Sequence, residues 1–389
     1  MAVLLVLVVG AGTYLLAKGS PGKTGGRVAT GTSTSAPGTS APVATTAPAA
    51  SSTSGPTSTT ASPGTSTTRA PVTTTTGAPV TSTTGPPTGS TTRSTATTAA
   101  RGTAPPSGLA VGTATMQVTA STPHGTAAVP VAIYYPAVSS GAGAMPDHAG
   151  GPYPLVIFSQ GFGEYPSAYA ILMEAWAQAG FVVAAPTYTH TDPGPGLYRP
   201  DIVDHPAELS ATITAVLQDD RSSGGLLSGL VDPSEVAVAG QSDGGDVSLA
   251  AAVNTCCRDT RIKAAVILSG AEYSVFGGSY FTDGSPPLLV TQGNDDSAFL
   301  GNAPVCSTNL YNAAPAPKYY VDLLGATHLP PYTEANGWER VVARVSTEFL
   351  DAYLRHDRAE LGRMMQDGNV AGVATITSAP QVPSAGGTC

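Results

Sequence analysis

Residues 240–244 read Gly240-Gln241-Ser242-Asp243-Gly244. The apolar run Val236-Ala237-Val238-Ala239 precedes them and reads as a buried strand. The Ala-rich run Val247-Ser248-Leu249-Ala250-Ala251-Ala252-Val253 follows and reads as a helix. A serine at a strand-to-helix turn can be held on a strained backbone with its hydroxyl clear of the sheet, placed to act as a nucleophile. Glycines on either side lack Cβ, so strand and helix can pass close to each other there. With 45 glycines in 389 residues, G-x-S-x-G alone is a weak signal, and a plain tight turn is the alternative. The flanking elements and the partners found downstream raise it.

A serine hydroxyl needs a base within hydrogen-bond reach, and the base needs an orienting acid. His328 follows the apolar run Tyr319-Tyr320-Val321-Asp322-Leu323 behind Gly325-Ala326-Thr327. A base at the end of a late strand suits this role. The other histidines read differently. His124, His148 and His356 fall at a turn, a loop and a helix end, as solvated surface. His190 follows a strand but precedes the serine, and His205 sits at a helix start, where capping or packing is more common. For the acid, Gln292-Gly293-Asn294-Asp295-Asp296 follows the strand Leu288–Thr291. Asp296, three residues after Gly293, has the spacing of a strand-end turn, and Asp295 is the alternative. Two adjacent buried carboxylates do not both ionise easily.

A tetrahedral intermediate needs two backbone N–H groups aimed at its oxygen. One belongs to the residue after the nucleophile, Asp243. The other is expected from the Gly161-Phe162 loop.

The elements that must position these groups follow from periodicity. Thr115–Thr119 and Val129–Tyr134 alternate as half-buried strands around the turn Pro123-His124-Gly125, a hairpin. Pro154–Ser159 is a fully apolar strand broken at Gly161-Phe162-Gly163, and a helix from Ser167 to Ala179 stops at Gly180. Phe181–Ala185 is the next strand. A loop, Thr187 to Pro200, leads to a helix from His205 to Asp219 with Leu209, Ile213 and Val216 on one face. Ala264–Leu268 and Leu288–Thr291 are further buried strands, Tyr319–Leu323 is the last, and a helix from Trp338 to Leu354 closes the fold. Strands alternating with helices predict an α/β fold, a mostly parallel sheet with helices on both faces.

Composition divides the chain. Residues 1–17 are apolar, a signal peptide or membrane anchor; at about 16 residues the run is short of the ~20 that span a bilayer. Lys18, Lys23 and Arg27 follow it. Residues 18–108 are dominated by Thr, Ser, Pro, Ala and Gly, which cannot bury a core, and read as a disordered stalk. Residues 109–389 form the domain, its last ~20 residues a tail, long enough for one α/β unit. The net charge of −9, with no basic run in the domain, argues against nucleic acid and for a neutral or apolar substrate. The four cysteines, Cys256, Cys257, Cys306 and Cys389, fit an oxidising compartment. A bridge from Cys256 or Cys257 to Cys306 or Cys389 is expected over a vicinal one. The thiols lack metal-ligand spacing, and no metal or cofactor is expected.

Three segments, Val156–Gly163, Gly240–Gly245 and Gly325–His328, resemble the α/β-hydrolases of the group holding dienelactone hydrolases, platelet-activating-factor acetylhydrolases, chlorophyllases and polyester-degrading cutinases. The resemblance spans about Val111 to Leu354. It implies the α/β-hydrolase fold, Ser242 as nucleophile, Asp296 as acid, His328 as base, and the N–H groups of Phe162 and Asp243 as the oxyanion hole. Two positions depart from the pattern. Gln160 stands where the group usually has histidine, and residue 243 is an aspartate, whose carboxylate opposes an oxyanion unless it points away.

The expected function is an extracellular, secreted or surface-anchored serine hydrolase that cleaves a small or lipid-like carboxylic ester through an acyl-enzyme. It is expected to be monomeric and to meet a membrane only through its N-terminal segment. Phe162, Tyr165, Tyr188, Tyr273 and Trp338 are candidate pocket walls, with core packing the alternative for each. The rival readings are a non-catalytic adhesion or scaffold domain, or a peptidase or acyltransferase with the same three groups. If residues 1–108 contribute no core, a chain beginning at Leu109 keeps its melting temperature and its hydrolytic rate on soluble esters. A fall of several kcal/mol in stability on truncation would show that the stretch packs on the domain.

Overall fold

Parallel strands buried on both faces need unbroken apolar runs, and the middle of the chain supplies them. The computed structural model describes residues 6–9, 12–15, 108–297 and 303–389. Residues 18–107 of the expected stalk lie outside the described residues, and within residues 1–17, read as a signal peptide or anchor, only two strands are described, β1 (Val6–Val9) and β2 (Gly12–Leu15), which pair antiparallel. Among the described residues no helix is long and apolar enough to cross a membrane.

The domain opens with the expected hairpin, β3 (Ala110–Thr122) and β4 (Gly125–Ala137), with a short β5 (Gly141–Ala142) against β3. Then come β6 (Tyr153–Ser159), α1 (Ala170–Gln178), β7 (Val182–Pro186), α2 (His205–Arg221), β8 (Val231–Gln241), α3 (Asp243–Val253) and β9 (Ile262–Leu268). They are followed by β10 (Leu288–Gly293), α4 (Pro304–Ala313), β11 (Lys318–Leu323), α5 (Pro330–Thr333), α6 (Gly337–Leu354), α7 (Glu360–Asp367) and β12 (Ala374–Thr377). The ten-stranded sheet runs β12-β11-β10-β9-β8-β6-β7-β4-β3-β5. Its centre, β7 to β11, is parallel throughout.

Alternation along the central strands builds two cores. Leu155, Ile157, Val236, Val238 and Ile267 face α2 and α3 through Leu209, Ile213 and Val247. Val156, Phe158, Ala237, Ala239 and Val266 face α1 and α6 through Leu172, Trp176, Val345 and Phe349. Trp176 is fully buried and its indole N–H donates to Ser346 Oγ at 2.8 Å, so the ring joins α1 to α6 without an orphaned donor.

Three expectations change. The helix expected from Ser167 starts with a 3-10 turn, Pro166–Tyr169, and becomes α-helical at Ala170. Tyr319–Leu323 is not the last strand: β12 pairs antiparallel with β11 and covers its edge, and α7 follows α6 with Met364 in the core. Four alternating residues are too short a signal to single out a strand. The end of the chain is also held, since Tyr311 Oη donates to the Ala379 carbonyl and Asn312 exchanges two bonds with the backbone of Val382.

The cysteine pairing differs as well. Cys256 bonds Cys257, and Cys306 bonds Cys389. Cys306 lies in the first turn of α4, which starts from the carboxyl edge of the sheet, and the C-terminal segment along α4 delivers Cys389 to it. Cys256 and Cys257 lie past the far end of α3, at the opposite edge.

One buried acid has a measurable consequence. Glu208 on α2 is buried, its Oε2 meets no hydrogen-bond donor among the described residues, and desolvation first, then Asp201 and Asp204, push its pKa up from 4.5 to about 8. Folded protein therefore holds a proton that the unfolded chain has released between about pH 4.5 and 8. The associated stability is complete below pH 4.5 and is lost as pH rises through 8. Glu208→Gln is expected to flatten this decline by a few kcal/mol, at ~1.4 kcal/mol per pKa unit, while leaving that of Glu348, also raised to about 8. Thermal melts from pH 5 to 9 test it, and equal slopes for the two proteins would show that Glu208 ionises normally.

Candidate active site

The order of strands reverses at β6, with β7 on one side and β8 on the other, so the loops leaving the carboxyl ends of β6 and β8 open a crevice between them. Ser159 pairs in register with Gly240, which places Gly161 and Ser242 side by side two residues further on. A Cβ on Gly240 would lie 2.1 Å from the Gly244 carbonyl oxygen, and one on Gly244 2.1 Å from that of Ser159. Only glycine fits either place. Between them Ser242 adopts φ 56°, ψ −127°, a left-handed backbone costing about 1–3 kcal/mol. Its N–H donates to the Leu268 carbonyl of β9, and its own carbonyl accepts from Asp246 N–H on α3.

The neighbouring strands bring the other groups. Gly293 of β10 pairs with Leu323 of β11, and the loops after them carry Asp296 and His328. His328 Nε2 lies 2.8 Å from Ser242 Oγ, and His328 Nδ1 lies 2.7 Å from Asp296 Oδ2. An ionised carboxylate only accepts, so Nδ1 carries the proton and Nε2 accepts from the serine hydroxyl. Asp296 is buried, whereas Asp295 is exposed. The two loops are laced together: Asp295 N–H donates to the Ala326 carbonyl, and Asn294 Oδ1 accepts from Gly325 N–H at 2.8 Å.

Two buried glutamines complete the frame. Gln292 donates from Nε2 to Asp296 Oδ2 at 2.7 Å and accepts from Ser307 Oγ at 2.6 Å. Gln241 accepts from Tyr169 Oη at 2.8 Å and donates to the His328 carbonyl at 3.1 Å, while the same Tyr169 Oη accepts from Gly161 N–H. The β6 loop, the serine turn and the histidine loop thus share one network. Phe162 and Asp243, expected to supply amide donors, follow Gly161 and Ser242 directly, and Asp243 opens α3, whose N-terminal dipole favours negative charge nearby. Gln160, in place of the expected histidine, is buried.

The Asp243 carboxylate does not stand alone. Arg199, in the loop between β7 and α2, grips it with two bonds, Nε to Oδ2 at 2.7 Å and Nη2 to Oδ1 at 2.6 Å. The guanidinium also covers the Tyr273 ring, 4.9 Å from its centre. These contacts hold its pKa above even the usual arginine value, the Asp243 hydrogen bonds foremost. Arg199 carries no sequence signal beyond its place in a loop near a strand end, and neither glutamine stands in a position that spacing alone singles out.

The other candidates disperse. Tyr188 is core, its hydroxyl 2.7 Å from Ser159 Oγ and its ring stacked on His205 at 4.3 Å. Burial pushes the His205 pKa down to about 3. Trp338 donates to the Leu324 carbonyl and packs on the α6 core. Phe162 and Tyr273 are half-buried and Tyr165 is exposed. His124, His190 and His356 pair at the surface with Asp204, Asp201 and Glu235. Among the described residues no group of three or more His, Cys, Asp or Glu side chains could hold a metal ion.

A chlorophyllase family model matches residues 114–296, a span that contains Phe162, Ser242, Asp243 and Asp296 and ends before His328. The match and the mostly parallel ten-stranded sheet together give the chain the α/β-hydrolase fold. No curated protein matches it. In this fold Asp296 rather than Asp295 touches the imidazole, so Asp296→Asn is expected to slow fluorophosphonate labelling of Ser242 by about 10³-fold or more, and Asp295→Asn by less than twofold. Active-site labelling followed by mass spectrometry measures both; a larger effect at Asp295 would reverse the assignment.

Proposed function

We propose that this protein is a serine hydrolase of carboxylic esters that works through an acyl-enzyme. The observation that carries the reading is the continuous chain of hydrogen bonds from Ser242 Oγ through His328 to Asp296, at 2.8 and 2.7 Å. Ser242 Oγ attacks the ester carbonyl carbon while its proton passes to His328 Nε2. The imidazolium that forms is stabilised by Asp296 through Nδ1–H. The carbonyl oxygen becomes an oxyanion and accepts from the N–H groups of Phe162 and Asp243. Collapse expels the alcohol, which takes the proton from His328. Water then enters, loses a proton to the same nitrogen, attacks the acyl carbon, and releases the acid with regeneration of Ser242.

Phe162 beside Gly161 and Tyr273 under Arg199 are half-buried aromatics, and the chain carries a net charge of −9, which together favour a neutral, apolar ester. The two cysteine pairs support an oxidising, extracellular location for the domain. The N-terminal apolar segment would bring it there, as a signal or an anchor.

Ser242→Ala is expected to lower ester hydrolysis by 10³-fold or more with the fold intact, since no other group can take the acyl chain. The test is a panel of nitrophenyl esters of rising chain length, beside polyester film and phospholipid, with circular dichroism to check folding. More than a tenth of the wild-type turnover in the folded variant would refute the nucleophile. Activity confined to amides would refute the ester class.

A further inference from the structure

An aspartate directly after the nucleophile is an electrostatic difficulty. The N–H of residue 243 is an oxyanion donor in the reading above, on which this inference rests. Covalent geometry alone keeps a carboxylate within about 5 Å of its own amide nitrogen. The developing oxyanion and the Asp243 carboxylate are therefore near neighbours of like sign. Asp243 is buried, so water screens the repulsion poorly. A second buried carboxylate, Asp246, sits one turn further along α3 and accepts from Ala271 N–H at 2.7 Å.

We propose that Arg199 is a positioning residue for ester hydrolysis: its bidentate grip on Asp243 cancels the carboxylate's charge and turns it away from the oxyanion donors. Three features support this over a mere surface clasp. The pair is largely removed from water, with side-chain exposures of 20% for Arg199 and 4% for Asp243. Both carboxylate oxygens are engaged, which fixes the plane of the group. Arg199 is further held over the Tyr273 ring, so the charge has a fixed place before substrate arrives. Preorganisation of this kind acts on the transition state, where the oxyanion exists, more than on substrate binding. The loop from β7 to α2 thereby serves the chemistry through one residue.

Arg199→Ala removes the guanidinium charge that offsets Asp243 beside the oxyanion site. We expect kcat on a soluble nitrophenyl ester to fall on the order of 10²-fold with KM changed less than threefold, and fluorophosphonate labelling of Ser242 to slow in parallel. Adding Asp243→Asn removes the charge and is expected to recover at least a tenfold part of the loss. Arg199→Lys, which keeps the charge but loses the two-point grip and the stack on Tyr273, is expected to lie between wild type and Arg199→Ala, about tenfold below wild type, and serves if the alanine variant does not fold. An Arg199→Ala protein with kcat within threefold of wild type overturns the proposal. So does a loss that the double variant fails to relieve, which would assign Arg199 to loop placement, or an Arg199→Lys loss as large as 10²-fold. If the wild-type protein neither labels at Ser242 nor hydrolyses any ester, the underlying reading falls, and this one with it; if it does both, the Arg199 variants judge this inference alone.

Discussion

The close passage of backbone between β8, β6 and α3 is the constraint on which the site depends. Gly240, Gly244 and Gly161 allow chain segments to touch where any side chain would collide, and that contact forces Ser242 into its left-handed conformation. A strained residue persists only where its surroundings leave it no alternative. Here the surroundings are the two core-packed strands, the Leu268 carbonyl that takes the Ser242 N–H, and the first turn of α3. The strain is thus a by-product of well-packed neighbours and requires no local compensation at the hydroxyl, which stays available to His328.

Position alone would not hold the imidazole, because it rides on a loop. Buried polar groups have to find partners, and this rule converts two glutamines into fasteners. Gln241 can satisfy its amide only by reaching Tyr169 on one side and the His328 backbone on the other. Gln292 is likewise fixed between Ser307 and Asp296. Each glutamine sits in the last residues of a buried central strand, so the sheet fixes the loops that carry Asp296 and His328. A network in which every member is satisfied holds a unique geometry, whereas one lost partner leaves a costly orphan.

The legible and illegible parts of the sequence divide along the same line. Central strands are legible because burial on both faces demands runs such as Leu155–Phe158 and Ala264–Leu268. The serine turn is legible because its glycines answer a local steric need. Asp296 and His328 are expected from their places behind strand ends, and the structure sets His328 against Ser242 and Asp296 against His328. Illegible are features fixed by tertiary context. β12 is four residues long and exists by pairing with β11. The Cys306–Cys389 pair depends on α4, which carries too mixed a pattern to be read, and on a tail that packs against it. Arg199 lies 44 residues from Asp243, and nothing local to either announces the other.

The first turn of α3 shows how stability and chemistry draw on one potential. Acidic residues at a helix N-terminus favour the helix, and α3 has two, Asp243 and Asp246. The same positive end of the dipole is what an oxyanion above Ser242 would use. Carboxylates that stabilise the helix therefore compete with the charge that the site is built to receive. In a chain of net charge −9 there is no general positive field to offset them, so compensation has to be local. Contacts of this kind include the Ala271 N–H on Asp246 and the Arg199 guanidinium on Asp243. Both come from loops at the carboxyl edge of the sheet, outside α3 itself. The helix can keep its acidic start because neighbouring loops supply the donors, and the fold of those loops is in this sense part of the electrostatics of the site.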